Sequence, residues 1–460
     1  MIEKVNTVDD ITHSMSPKRK ELNRKLLSEL PAVMNEIHGT KFSDRFWMIL
    51  LRDHVRAMIS RIDLLSKGEI NINPDLYPMN GRELPENKEK FTKALILFVK
   101  HLKSINKRST VEHLLKNENE FRIGFPEFPG IEKEGLGIKL PIYTPVFYGG
   151  GNKVKRDKVD GISKKITDPF FKNVVGHLPK LLVEYFQKHY ESVKVFSPEK
   201  KQFHVHTTNS DYNQMLIAKY IEQGSGLIWY QHGSYYGEFQ GDSSHDFESS
   251  VADKFRTWGW KIRENDQPWK AYRLEHFRHK YSTYKLSREY DLLLAFPKIK
   301  KNTRKLYKEF TDYLLLNLDN TRYKKILARP RALNKVFSHK SNLSFIDDHR
   351  VDKTSGLSPM AEDMARCRIV LQMTVPATNF LECIYLDHIT VGFLQNDQPT
   401  EVVKPYYDFF LEAGVLHQDV DSLIQHLNRV DPEEWWNEVK ADSRYQDFKQ
   451  TFTRRVEKYL

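Results

Sequence analysis

Apolar positions recur along this chain with a helical period at first and in short runs later. Pro17 to Leu30 predicts a helix, with Ser16 as N-cap and Pro17 at the first helical position. In FSDRFWMILLRDHVRAMISRIDLL, the residues Met48, Leu51, Val55, Met58, Ile62 and Leu65 recur at three or four residues and form one stripe. Such a stripe has to pack against something. A third helix is predicted near Lys90 to Leu102. From about Gly124 the pattern changes, and GFPEFPGIEKEGLGIKLPIYTPVFYGGGN breaks the helical period. PIYTPVFY predicts a strand or extended segment, and Gly149 to Gly151 a loop.

Short apolar runs then alternate with helical segments. A helix over Leu178 to Tyr190 is followed by a strand at Phe203 to Thr207 and a helix at Tyr212 to Glu222. Strands at Leu227 to Tyr230 and around Phe255 to Trp258 follow. After a break at Lys270 to Arg288 a second series begins. DLLLAF, KKILA, LSFID, RIVLQM and ITVGFL predict strands; Arg304 to Leu316, Met360 to Cys367 and Asn379 to Leu386 predict helices. Val420 to Leu460 predicts a helical tail. Alternation of this kind builds parallel sheets. The expected fold class is therefore α/β, with two Rossmann-like domains and a helical N-terminal extension. The first domain spans 1–280 and includes the extension over 1–120. The second spans 281–430, and the tail 431–460. Ligands of such domains bind outside the strand C-termini.

Composition narrows the classes. The chain has 460 residues, 40% of them hydrophobic and 12% aromatic, enough to bury a core. Its longest apolar runs, as in TDYLLLNL and DLLLAF, fall far short of the ~20 residues of a membrane span. MIEKVNTVDDITHS has no apolar h-region, so no signal peptide is expected. Two cysteines, Cys367 and Cys383, exclude a disulfide framework and a four-cysteine zinc site. These features predict a cytoplasmic protein. The net charge of +11 is uneven. Arg322 to Lys340 holds seven basic residues and no acid, and Lys153 to Lys201 is lysine-dense. A positive field attracts nucleic acid, anionic lipid or phosphorylated small molecules. No zinc-finger spacing, RNP-like motif or basic heptad helix supports nucleic acid.

Candidate chemistry lies at three strand ends. In HVHTTNSDYNQ, Asp211 follows a strand and opens a helix; it either caps that helix or turns its carboxylate to the ligand crevice. In WYQHGSYYGEF, the strand ends in Gln231-His232-Gly233. His232 is a candidate general base or hydrogen-bond donor to a phosphate, Glu238 a possible acid/base partner, and Gly233 permits close backbone approach. The bland alternative is a tight turn with a packed histidine. Third, Arg329-Pro330 ends one strand of the second series, and TVPATNFLE follows another. Thr378 and Asn379 at the helix start suit a phosphate, and Glu382 one turn on suits ribose hydroxyls. The bland alternative there is an ordinary capped helix. There is no P-loop, G-x-G-x-x-G, H-E-x-x-H or G-x-S-x-G motif. His204, His206 and Asp211 imitate a metal site, but strand histidines are more often satisfied by packing, so no metal is expected. Asp242 and His245 form a weaker pair in a polar loop.

FWMILLRDHVRAMISRIDLL, QHGSYYGEF, DKFRTWGW, the Arg329-Pro330 pair and Thr378 to Glu382 occur in this order over about Lys41 to Phe393. In that order they resemble a family of bacterial transferases of surface-polysaccharide loci. The layout is similar to GT-B glycosyltransferases, including retaining β-Kdo transferases that use CMP-Kdo. Ser234 stands where that family often has a second glycine, and Arg329 where a histidine often precedes the proline. The resemblance implies that Arg329, Pro330 and Thr378 hold a nucleotide phosphate. It implies a donor that is itself the nucleotide-sugar substrate, with no separate cofactor. The acceptor it implies is a glycan or lipid-linked glycan of lipopolysaccharide or capsule, and the place of work is the cytoplasm or the inner membrane periphery. Glycosyl transfer passes through an oxocarbenium-like state, so Asp211 would act as nucleophile if retaining and as base if inverting. Asp419-Val420-Asp421 is the sole Asp-x-Asp and falls in the helical tail, which agrees with metal-independent transfer. Two rivals remain: a CDP-glycerol-type polyol-phosphate transferase, and a non-catalytic module binding anionic membrane or nucleic acid.

Overall fold

The computed structural model describes residues 17–59, 120–123, 138–139, 152–195, 200–207, 211–240, 243–297, 299, 303–331, 343–354, 358–394 and 399–455. The predicted helix at Lys90 to Leu102, the PIYTPVFY segment, the Gly149 to Gly151 loop, and Ile62, Leu65 and Asp242 lie outside them.

The described strands form two parallel sheets. The first holds β1 (Glu120–Ile123), β2 (Ile138–Lys139), β3 (Gln202–Val205), β4 (Gly226–Tyr230), β5 (Lys254–Thr257) and β6 (Asp266–Pro268), in the order β2-β1-β3-β4-β5-β6. The second holds β7 (Tyr290–Ala295), β8 (Ile326–Arg329), β9 (Val351–Lys353), β10 (Cys367–Val375), β11 (Thr390–Leu394) and β12 (Leu416–His417). Its order is β12-β11-β10-β7-β8-β9. From β7 the chain first runs outward through β8 and β9, then restarts at β10 on the other side. That order makes β7 and β10 the topological switch point, where the crevice of a doubly wound sheet opens. Strands such as Leu292–Leu294 and Thr390–Leu394 are apolar and buried, as a sheet covered on both faces requires. The α/β class with two Rossmann-like sheets is what the structure shows.

The helical extension begins with Pro17–His38 and Asp44–Ile59. Leu51, Val55 and Met58 of the expected stripe are buried, and Phe46, Trp47 and Leu50 are buried as well. Asp44–Ile59 packs on the Asp211–Glu222 helix, which shields the first sheet, and Trp47 meets Phe186 with ring centroids 4.9 Å apart. The extension is thus continuous with the first domain's core.

Several sequence expectations change. The helix expected over Leu178 to Tyr190 divides into Lys180–Val183 and Phe186–Ser192, with Tyr185 outside helical geometry between them. LSFID is a turn, and the third strand of that half is β9 instead, because Arg350 N–H and side chain fold back on Asp348 and start the strand later. The break at Lys270 to Arg288 contains a helix, Tyr272–Ser282. The tail is three helices, Val420–Arg429, Pro432–Ala441 and Ser443–Phe452. Asp419, Asp431 and Asp442 each accept first-turn N–H groups as N-caps, so the Asp-x-Asp pair opens a helix. Past this tail the chain returns to the first sheet. Arg454 N donates to Trp258 O at 2.9 Å, and Ala271 N donates to Arg454 O at 3.0 Å. Gly259 (φ +133°) makes that approach possible, since an added Cβ would stand 2.6 Å from Thr451 O. No helix among the described residues is long and apolar enough to cross a membrane.

Candidate functional site

The first wall is built where β3 and β4 end. β3 and β4 pair in register, Val205 opposite Trp229, so the segments that follow them lie side by side. Asp211 is the first residue of the Asp211–Glu222 helix, and the residue before it lies outside the described set. Asp211 thus lies in the first turn as described. His206 and His232, one from each strand end, have ring centroids 5.6 Å apart. His232 is partly exposed, at 27% of its side chain.

Gln231 fixes this turn. Its buried Oε1 accepts from Trp258 N at 2.8 Å and from Trp260 Nε1 at 3.0 Å, while Nε2 donates to Gly233 O at 2.9 Å. The Gln-His-Gly and Trp-Gly-Trp segments are one hydrogen-bonded unit. Gly237 (φ +75°) lies on Trp260, where an added Cβ would come within 2.6 Å of the ring. Behind the turn, Tyr236 Oη lies 2.8 Å from His232 Nδ1 and donates to Glu248 Oε2 at 2.9 Å. Glu248 Oε1 accepts from Arg52 Nη2 at 2.5 Å.

Glu238 has a different setting from the one the sequence suggested. It is fully buried; Oε1 accepts from Tyr235 N at 3.2 Å and Oε2 from the Tyr407 hydroxyl at 2.5 Å. Tyr407 belongs to the second half of the chain, and Thr400 Oγ1 donates to Gly237 O at 2.6 Å beside it. A carboxylate so enclosed ties the two halves together.

The second wall gathers at the switch point. Ala295 of β7 pairs with Arg329 of β8 and with Gln372 of β10, which puts three strand ends at one level. Pro330 is buried directly after β8. The Arg329 guanidinium donates to Ser358 Oγ at 3.2 Å, to Ser358 O at 2.7 Å and to the buried Asp363 carboxylate. Thr378 and Asn379 open the Thr378–Leu386 helix after β10, and Ala377 is the residue before it, without a side-chain cap. Glu382 lies one turn on, 5% exposed, and its Oε2 has no hydrogen-bond partner. Burial pushes its carboxyl up to about 7, against the pull of Arg273 and Arg329.

The two walls touch. Ser234 N donates to Thr378 Oγ1 at 3.2 Å, and an added Cβ on Gly233 would stand 3.3 Å from the same oxygen. Arg273, on the helix between the halves, donates to His232 O at 2.6 Å. So His232, Gly233, Thr378 and, through Arg273, Glu382 share one seam. Glu238 stands at its far side, in a separate contact. Sequence reasoning missed Arg52, Glu248, Tyr236 and Arg273. Each is an ordinary surface-type residue in a helix or turn by pattern, and only Tyr236, inside the QHGSYYGEF motif, carried a signal that could have found it.

Parallel sheets whose strand C-termini face each other across a seam define a two-domain α/β protein of the GT-B layout. Residues 152–460 match the model of the LIC12162 family transferases, and the chain belongs to that family. Curated proteins yield no match. Among solved structures, the wall teichoic acid polymerase TagF is similar at 12% identity, covering 58% of this chain and 80% of its own, with a TM-score of 0.30. S. aureus MnaA in its UDP co-structure is 11% identical over 73% of this chain and 91% of its own (TM-score 0.36). The α,α-trehalose 6-phosphate synthase from Burkholderia multivorans is 9% identical over 65% and 77% (TM-score 0.36). Likenesses of this size carry no argument about activity.

Proposed function

We propose that this transferase moves a sugar from a nucleotide donor to a glycan or lipid-linked glycan acceptor of a bacterial surface polysaccharide. The observation that supports it most is the meeting of Gly233 and Ser234 with Thr378, which brings the strand-end motifs of both sheets to one seam. The second sheet takes the nucleotide. N–H groups at the start of the Thr378–Leu386 helix and the Arg329 guanidinium receive the departing phosphate. Glu382 accepts from ribose hydroxyls, for which its unpartnered buried Oε2 is suited. The first sheet takes the chemistry. Asp211 stabilises the oxocarbenium-like state or attacks it, and His232 meets the reacting hydroxyl. CMP-Kdo is the donor we would try first. Work at the inner membrane periphery fits a lipid-linked acceptor.

A thermal-shift screen against CMP, UDP, GDP and CDP tests the reading. A nucleotide at ~100 times its Kd stabilises by about 2.7 kcal/mol. No shift with any of the four would sink it. A shift with CDP alone, with phosphorus-containing product by NMR, would replace it with polyol-phosphate transfer.

A further inference from the structure

From a cation without a counter-ion at the first sheet's strand ends, we propose that Arg256 and Trp269 bind an anionic group, a carboxylate or a phosphate, of the acceptor. That the acceptor carries this group rests on the proposed transfer; the anion site itself does not.

Strand alternation builds the site. Arg256 on β5 lies opposite Tyr230 on β4, and His204 on β3 lies opposite Ile228. One face of the sheet therefore carries all four. Trp229 and Phe255 turn the other way, where Phe247 and the Arg52 guanidinium meet the Trp229 ring. The Arg256 face is thus turned away from the Asp44–Ile59 and Ser243–Val251 helices. Trp269 follows β6, where its N–H donates to Thr257 O at 2.9 Å, and its ring packs on Ile228 and Tyr230. The cluster borders the candidate site, since Gln231 N, one residue before His232, donates to Arg256 O at 2.9 Å.

Arg256 and Trp269 are both half-buried. The guanidinium lies 3.7 Å from the centroid of the Trp269 ring and 5.3 Å from that of Tyr230, so aromatic faces hold its plane. Nη1 donates to the Tyr230 hydroxyl at 2.5 Å. Nε is buried and has no acceptor, and the indole Nε1 of Trp269 is buried without one as well. Among the described residues no carboxylate pairs with Arg256. With Nη1 given to Tyr230, the edge formed by Nε and Nη2 is left over. That edge is the fork that fits two oxygens of a carboxylate or phosphate. Buried N–H groups ordinarily find acceptors, and a partly buried cation ordinarily finds an anion. One oxyanion would satisfy both. Burial, and then the Arg256 charge, lowers His204 to about 4, so the neighbouring imidazole adds no charge of its own. The donor phosphate has its place on the second sheet, at the Thr378–Leu386 helix start. An anion on the first sheet, beside Gln231-His232, is then the acceptor's.

The test is indole 1H–15N NMR of the full chain with three probes: tetragalacturonate, its carboxyl-reduced form tetragalactose, and glycerol 3-phosphate. Seven tryptophans give few signals, and the one lost in Trp269→Phe identifies Trp269. The Trp269 signal should move with tetragalacturonate or with glycerol 3-phosphate and stay in place with the neutral sugar. The anion that moves it tells carboxylate from phosphate. Calorimetry should show that binding weakened ~10-fold or more in Arg256→Met and ~3-fold in Trp269→Phe, as for lost hydrogen bonds to a charged group. Arg256→Lys should fall between wild type and Arg256→Met, because it keeps the charge and loses the fork. The thermal shift by nucleotide should be unchanged in all three variants, which shows that they fold and that the site is separate from the donor's. No movement with either anion, equal binding of the neutral sugar, or full binding by Arg256→Met overturns the inference. So does a folded Arg256→Met that loses nucleotide binding, since Arg256 would then serve the donor. A wild type that binds the anion and no nucleotide defeats the transferase reading alone, and the anion site stands.

Discussion

The two sheets share one construction and carry different side chains at their strand ends. Both are parallel, both keep their candidate chemistry at strand C-termini, and the order of strands differs. The second sheet reads outward on either side of β7, with its switch point between β7 and β10, and the first on either side of β1, with its switch point between β1 and β3. The second sheet presents a helix start, an arginine and a buried acid, which on the proposed function would hold an anion and a ribose. The first sheet presents Asp211 in a helix's first turn and His232 at a strand end backed by a buried ion pair, which on that proposal would stabilise charge and move protons. The lesson is that similar scaffolds acquire different roles from what stands behind the strand ends.

Acid should separate the two regions most strongly. Burial lowers His38, His54, His189 and His204, all packed in or against the first domain, to about 4; in the second it lowers His426 to about 4 and also lowers His388 and His417. Each folded-state value lies below the unfolded one near 6.5, so the unfolded chain binds more protons between them. The stability these groups give is complete above pH 6.5 and is lost as pH falls toward 4, up to about 3 kcal/mol for each group lowered to about 4. Hydrogen exchange at pH 5 should show the first domain opening before the second. Equal opening of both would break the comparison.

Asp211→Ala tests the division of labour. Transfer should slow by ~10³-fold while the nucleotide-induced thermal shift stays intact. Full activity in this variant would remove Asp211 from the chemistry.

Glu382→Gln probes the other side. The Glu382 carboxyl has its folded value raised from 4.5 to about 7, so the folded state holds the proton more tightly. Its contribution to stability therefore declines as pH rises from 4.5 through 7 and becomes a cost of about 3 kcal/mol above that. The variant should melt higher than wild type at pH 8, equal to it at pH 4.5, and bind nucleotide about tenfold more weakly, a loss of one good hydrogen bond to a charged group. A melting difference that does not depend on pH would contradict the buried acid.

Smallest is Gly237→Ala. Positive φ and the Trp260 ring should cost about 1–3 kcal/mol, measured by urea unfolding, with loss of transfer rate exceeding loss of nucleotide binding.

The basic excess also divides. Lys155 and Lys158 donate to Ile37 O and Glu36 O at the end of the Pro17–His38 helix, and Lys219 to Tyr190 O and Val193 O. Part of the lysine-dense stretch thus caps helix carbonyls that would otherwise be unpaired. In Arg322 to Lys340, Arg322 does the same for Asn428 and Val430 carbonyls.

Periodicity alone was enough to determine the class of this protein, the position of most strands in the second series, and the glycine-bearing turns after β4. Local signals suffice there because apolar runs, caps and glycines act within a few residues. The breaks at Tyr185 and in LSFID escaped because they depend on what the chain folds back against. Which titratable groups share a seam was decided only by tertiary structure. Arg52 reaches Glu248 across 196 positions, Tyr407 reaches Glu238 across 169, and Thr378 meets Ser234 across 144. Glu238 looked reactive in sequence and proved buried, while Glu248 looked ordinary and proved to stand behind His232. Burial and pairing set the role of a carboxylate, and both are properties of neighbours that packing supplies.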